Sequence, residues 1–332
     1  MPVSIDEARM FGDIQAVTLE NENLRVTVLP ELGAKIYGIV HKGTGADILW
    51  HNPRVSPRRV PFGSRFDDVW SGGWDEIFPN DAESVVGSER YPDMGEAWSL
   101  PWDYETQSRG DSASVTTMVK TPITPAKITR TLTLKDGETR FVCKYEFTNL
   151  SRNEISFLWK VHPAFAINDE CRIEVPAAAG TVDPRYAHLY GQKSYRWPRV
   201  RSMGGGEVDI SRVDPDRNDC SLHYLTGLGK GSARFVDRRH NLVSTISFDR
   251  RVMDNVWLFL AYGGWRGHYT AVIEPSTSYP YDLATAIRKG NCTALPGKGR
   301  MKASVEFSVD LLDRSRGEKR TKDTVKSRGR HR

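Results

Sequence analysis

Two ionisable side chains stand where a folded chain could use them for proton transfer. His162 lies in the run FLWKVHPAFAI and Glu274 in AVIEPSTSYP. Each follows a run of strand-forming apolar residues, and each is followed directly by a proline. Proline has no N–H to give to a β-ladder, so both strands are expected to end, or to lie at an edge, at these points. Polar groups at a strand end beside a long loop are well placed to meet a ligand. An imidazole titrates near pH 6.5, about where a partly buried carboxylate can be raised to meet it. The two residue types together can therefore move protons in both directions. Alone, each has an ordinary structural reading: a core or edge histidine, and a glutamate at a turn.

A third segment, SGGWDEIFPND from Ser71 to Asp81, combines paired glycines with carboxylates and an indole. Glycine lets backbone approach a ligand closely. Asp75, Glu76 and Asp81 can accept hydrogen bonds from hydroxyl groups. Trp70 and Trp74 offer flat faces for the C–H face of a sugar. The competing reading is a surface turn with core tryptophans.

The elements that must position these groups are strands. In TRFVCKYEFTN, Phe141, Cys143, Tyr145 and Phe147 alternate with Val142, Lys144 and Glu146; in KASVEFSVDLL, Val305, Phe307, Val309 and Leu311 repeat the pattern. Alternation with period two predicts strands with one face on a core. Similar runs recur along the chain, many separated by short polar turns such as KDGET and NLSRNE. Helical signals are confined to the Asp6–Arg9 region and LATAIRKG near Leu283. There is no βαβ rhythm and no GxGxxG, which argues against a dinucleotide-binding fold. The fold class read from the pattern is all-β, two packed sheets in one large domain. Two long irregular segments, Asn52 to Pro101 and Ala177 to Asn218, are expected to be functional or unfolded.

Composition sets the remaining bounds. Of 332 residues, 39% are apolar and 27% charged, as in a soluble globular protein. The net charge of +5 is misleading, because residues 313–332 hold nine Lys or Arg and three Asp or Glu, a net of +6, and leave 1–312 at −1. The expected organisation is thus a single domain over 1–312 and a basic, unfolded tail over 313–332. No aromatics are interleaved in the tail to stack on bases, so nucleic acid is not the expected partner. The first residues lack a signal-peptide pattern and no apolar run reaches the ~18 residues of a membrane span, which predicts a cytoplasmic protein with no membrane partner. Cys143, Cys171, Cys220 and Cys292 form no CxxC, so no local zinc pattern is present and reduced thiols are expected.

In order and spacing, GAKIYGIVHKGTGADILWHNP, SGGWDEIFPN, HPAFAI, IEPSTSYP and LPGKGRMKASVEFSV resemble the aldose 1-epimerase (galactose mutarotase-like) superfamily. The resemblance runs from about Asn21 to Leu311. It implies a β-supersandwich of large antiparallel sheets with a sugar cleft across one face. It further implies His162 as general acid and Glu274 as general base. Arg65, with Arg59 as the alternative, would bind sugar hydroxyls, and Asp219 is a loose match to an aspartate that does so in some members. With Trp74, Asp75 and Glu76 these complete the expected substrate-binding set. Galactose mutarotases carry a histidine directly before the paired glycines, where this chain has Ser71. The expected function is interconversion of the α and β anomers of a free sugar, with Glu274 and a protonated His162 on opposite sides of the hemiacetal. It needs no metal and no redox cofactor. A non-catalytic carbohydrate-binding or regulatory protein, and a glycoside hydrolase or lyase using Glu274 with Asp75 or Glu76, remain as alternatives.

Overall fold

The computed structural model describes residues 2–312; the expectation for the basic tail, 313–332, lies outside the described residues. Two large antiparallel sheets dominate. One has the spatial order Ser4–Asp6, Val17–Glu20, Leu24–Leu29, Lys35–His41, Trp74–Ile77, Lys160–Ala166, Tyr269–Ser276, Asn255–Tyr262, Cys220–Thr226, Ala179–Val182 and Ser194–Arg196. The other runs Asp103–Arg109, Ser112–Lys120, Ala126–Lys135, Arg140–Asn149, Arg300–Leu311, Leu242–Phe248, Ser232–Asp237 and Cys171–Glu174. The all-β expectation and its large antiparallel sheets hold.

The period-two reading explains why the sheets stack. Phe141, Cys143, Tyr145 and Phe147 are buried while Val142, Lys144 and Glu146 are not. Their strand pairs with Arg300–Leu311, which adds Val305, Phe307 and Val309 to the same core. Leu311 leaves this pattern and is exposed at the strand's end. Across the interface Trp74 meets Phe307 with ring centroids 5.8 Å apart, and Phe165 meets Phe235 at 4.6 Å. Side chains of alternate residues on both sheets thus close one apolar layer.

Helix is nearly absent. LATAIR forms a short helix, Leu283–Arg288, capped by the Asp282 carboxylate, which accepts from the Thr285 N–H at 2.7 Å. The Asp6–Arg9 region is not helical: Ser4–Asp6 is an edge strand, and the Asp6 side chain accepts from the Ala8 N–H at 2.8 Å. An aspartate that bonds its own backbone two residues on favours a turn over a helix. Among the described residues no helix is long and apolar enough to cross a membrane.

Candidate active site

His162 and Glu274 do not end their strands. The first strand runs through Pro163 to Ala166 and the second through Pro275 to Ser276, and the two are neighbours inside the larger sheet. Lys160 pairs with Ser276 and Ala164 with Val272, so the same register sets His162 opposite Glu274. The ladder between them lapses over residues 161–163, where Pro163 has no N–H to offer. On the other side the adjoining strand, Trp74–Ile77, begins opposite Pro163. The prolines therefore loosen the ladder locally without breaking the strands.

Opposed residues of an antiparallel pair point to the same face, with Cβ atoms about 4.5–5.5 Å apart. His162 and Glu274 accordingly stand side by side on one floor, not on opposite walls. Register places Lys160 on that face too, and Trp257 and Phe259 beside Glu274 and Val272. Over this floor lies a cleft of about 690 Å³, counting the space open to solvent at its mouth. The long segment 52–101 supplies Phe66, Asp67, Trp70, Asp81, Asp93 and Met94 to its walls. The segment 177–218 contributes Arg185 and Tyr186 at the rim, and Trp265 closes another side. Both irregular stretches are thus cleft-forming.

The electrostatics of the floor centre on Lys160, which the sequence reading missed. It is 2% exposed, ion-paired to Glu274 and to Asp81 (2.5 Å), and its Nζ lies 4.2 Å from the Trp257 ring centroid. Burial alone would depress its pKa, but the Asp81 and Glu274 carboxylates outweigh that and hold it above the ordinary lysine value. Glu274 is 1% exposed. Burial pushes its pKa up to about 7 against the opposing pull of Lys160. For His162, 5% exposed, burial first and then the Lys160 and Lys35 cations push the imidazole well below its usual range. At neutral pH the ring is uncharged, and its Nδ1 has no hydrogen-bond partner among the described residues.

Alternation along Trp74–Ile77 sorts the remaining candidates. Trp74 and Glu76 point into the layer between the sheets. Trp74 packs on Phe141 and Phe307. Glu76 accepts from Arg130 (3.0 Å), Tyr145 (2.7 Å) and Trp159 (3.2 Å). Neither lines the cleft. Asp75 points the other way but is covered: it pairs with Lys35 at 2.6 Å and accepts from the Trp70 indole N–H at 3.2 Å. It positions a cleft wall without lining the cleft. Arg65 is exposed just before the short Phe66–Val69 helix and is not among the lining residues. Arg59 pairs with Asp13 and Glu31 at the surface. Asp219 is bound to Arg217 (2.7 Å), also away from the cleft.

The paired glycines let neighbouring backbone approach closely. Gly72 and Gly73 have φ of 83° and 84°. A Cβ on Gly72 would fall 2.1 Å from the Trp50 carbonyl oxygen, and one on Gly73 2.9 Å from that of Ile36. Ser71, where mutarotases have histidine, is buried and does not line the cleft.

A sheet sandwich with a polar cleft on the outer face of its larger sheet defines the class of fold, the galactose mutarotase-like sandwich. Solved structures share it. A protein of Klebsiella pneumoniae provisionally named an aldose 1-epimerase superposes with a TM-score of 0.73 at 16% identity, covering 99% of this chain and 88% of that one. A galactose mutarotase-like protein of Clostridium acetobutylicum gives 0.68 at 14% identity, covering 94% and 99%. A TPR-domain containing protein of Parabacteroides distasonis gives 0.64 at 13% identity, covering 90% of this chain but 48% of its own. At the level of sequence, residues 10–171 match the DUF5107 family model, a domain of unknown function. That span includes Lys160 and His162 and stops before Glu274. No curated protein matches the chain.

Proposed function

We propose that the protein is an aldose mutarotase, opening and reclosing the hemiacetal ring of a free sugar. The observation that carries this reading is the adjacency of His162 and Glu274 on the floor of one cleft. Ring opening needs one proton removed from the anomeric hydroxyl and one delivered to the ring oxygen. Both oxygens are bonded to the same carbon, so two groups side by side on neighbouring strands suit them better than two groups on opposite walls.

The electrostatics favour a particular starting state. The pair needs one proton between them, and that proton rests more readily on Glu274, raised to about 7, than on His162, pushed well below 6.5. In the proposed cycle Glu274, as the carboxylic acid, gives its proton to the ring oxygen. The ring C–O bond breaks as neutral His162 takes the proton from the anomeric hydroxyl, leaving the aldehyde. After rotation about C1–C2, His162 returns a proton to the new anomeric oxygen and Glu274 recovers one as the ring closes. This exchanges the roles expected from the family resemblance, in which His162 was the charged acid. Lys160 stabilises the carboxylate that forms in the middle of the cycle.

Exchange NMR between the anomer signals of free aldoses tests the proposal. Catalysed exchange lost in both Glu274→Gln and His162→Ala, with the fold retained, is the expected result. Buffer-level exchange in the native protein across neutral, amino, acidic and phosphorylated aldoses would remove it. A carboxylic-acid C=O stretch near neutral pH that disappears in Glu274→Gln is expected if the resting proton sits on Glu274.

A further inference from the structure

The charges around the cleft are unbalanced. Its lining holds four carboxylates, Asp67, Asp81, Asp93 and Glu274, against two cations, Lys160 and Arg185. Lys160 is already committed to Asp81 and Glu274. Arg185 is committed to Asp183, outside the cleft, at 2.8 Å, and its guanidinium lies 3.7 Å from the Tyr281 ring centroid. Asp67 and Asp93 have no such counter-ion in contact. Asp93 accepts one hydrogen bond, from the Phe66 N–H at 3.0 Å. Asp67 makes no hydrogen bond or ion pair among the described residues, the nearby Arg266 being paired with Asp68 at 2.7 Å.

Both carboxylates belong to the wall made by Phe66, Trp70 and Met94, above the floor that carries His162. The His162 ring meets Phe66 and Trp70 edge-on, with centroids 5.6 and 5.7 Å apart. The acidic wall is therefore continuous with a 5%-exposed imidazole whose Nδ1 has no partner.

Resting on the mutarotase reading for the identity of the site, we infer that the cleft is built for an aldose bearing a protonated amine, its ammonium group held by Asp67 and Asp93, and that it rejects sugar phosphates and uronic acids. Burial above all pushes Asp93 up to about 6, with Asp67 and Asp81 adding to it against the Phe66 N–H bond, and burial raises Asp67 above the usual carboxylate range against the pull of the Arg266 and Arg65 cations. Two half-buried carboxylates on one wall, neither with a cation in contact, gain from an ammonium placed between them. An anionic substituent in the same place would add a further like charge. An uncharged hydroxyl would accept no such benefit. The class selected is a sugar with ordinary hydroxyls, one free anomeric centre and one ammonium group.

The test compares glucosamine, galactosamine and mannosamine with their uncharged parents, their N-acetyl derivatives, glucose 6-phosphate and glucuronate. Anomer-exchange rates and dissociation constants from ligand-observed NMR titration are measured on the full chain. Hydrogen bonds between charged groups are roughly twice as strong as neutral ones, so at least one amino sugar is expected to bind about tenfold or more tightly than its parent and its N-acetyl form. Asp67→Asn is expected to reduce that ratio by most of its value, while Asp67→Glu keeps it. A parent sugar, phosphate or uronate that binds as well as or better than every amino sugar would overturn the inference, whether or not exchange is catalysed. Tight amino-sugar binding with no catalysed exchange would leave the inference standing and remove the mutarotase reading instead.

Discussion

Two buried carboxylate–cation clusters lie on opposite faces of the larger sheet, and only one of them faces open space. Glu76, on the inner face, is 2% exposed and Glu274, on the outer face, 1% exposed. Burial raises the pKa of both. They differ in how completely their partners satisfy them. Both oxygens of Glu76 are engaged, one by Arg130 and Tyr145 and the other by Trp159, with aromatic rings packed around. Glu274 has Lys160 on one oxygen and no hydrogen bond among the described residues on the other, beside a cleft. A perturbed carboxylate is therefore not a candidate site by itself; spare acceptor capacity next to open volume makes it one.

Substitutions at the two glutamates should separate along this line. Glu274→Gln is expected to lower catalysed anomer exchange by about 10²–10⁴-fold, the usual reach of one general acid–base group. His162→Ala should fall in the same range. In both, the thermal midpoint should drop less than in Glu76→Gln, because Lys160 keeps Asp81. Exchange NMR and calorimetry on the same samples check this; a near-normal rate in either variant removes that residue from the mechanism.

Glu76→Gln should do the reverse. It leaves the fully buried Arg130 without its counter-charge, and breaking a buried pair costs about 3–5 kcal/mol. Urea unfolding should show that loss, while the folded fraction keeps an exchange rate within a few-fold of native. A large rate defect in well-folded Glu76→Gln would erase the distinction between the two clusters.

The pH profile sharpens the comparison. In the proposed cycle the singly protonated His162–Glu274 pair is the working form, so activity should fall above about pH 7 as Glu274 loses its proton. The acid limb should lie well below 6.5, where His162 gains one. These limits belong to the pair and hold whichever member carries the resting proton. In Lys160→Met the alkaline limb should move upward, because the cation that opposes burial at Glu274 is gone. A limb that stays in place would mean that Lys160 does not tune Glu274.

The smallest effects belong to the residues off the cleft. Arg65→Ala and Asp219→Asn should leave both dissociation constants and exchange rates within about twofold, because neither side chain lines the cleft. A tenfold loss in either would place it at the sugar.

Much of the fold was legible from local pattern. Alternation identified Phe141, Cys143, Tyr145, Phe147, Val305, Phe307 and Val309 as core, since side-chain direction in a strand repeats every two residues. The two candidate acid–base residues were legible by type and by their following prolines, although the strands continue past those prolines. The rest of the site was not. Trp74, Asp75 and Glu76 are consecutive and chemically suitable, yet parity sends Trp74 and Glu76 to the inner layer, and Lys35 covers Asp75. Lys160 sits two residues before His162, the spacing that puts both on one face. A lysine in an apolar strand was the available signal, and its role became visible only with its partners from Asp81 and Glu274.

What this amino-acid order determined alone is the sheet-forming alternation, the scarcity of helix and the presence of an imidazole and a carboxylate in strand-like runs, because each depends on residues within a few positions of one another. Which strand lies beside which, and therefore that His162 neighbours Glu274 while Glu76 faces Arg130, was decided by pairings across more than fifty residues of chain. Burial, counter-charge and open volume at a side chain are properties of those distant neighbours, and they exist only once the sheets have closed.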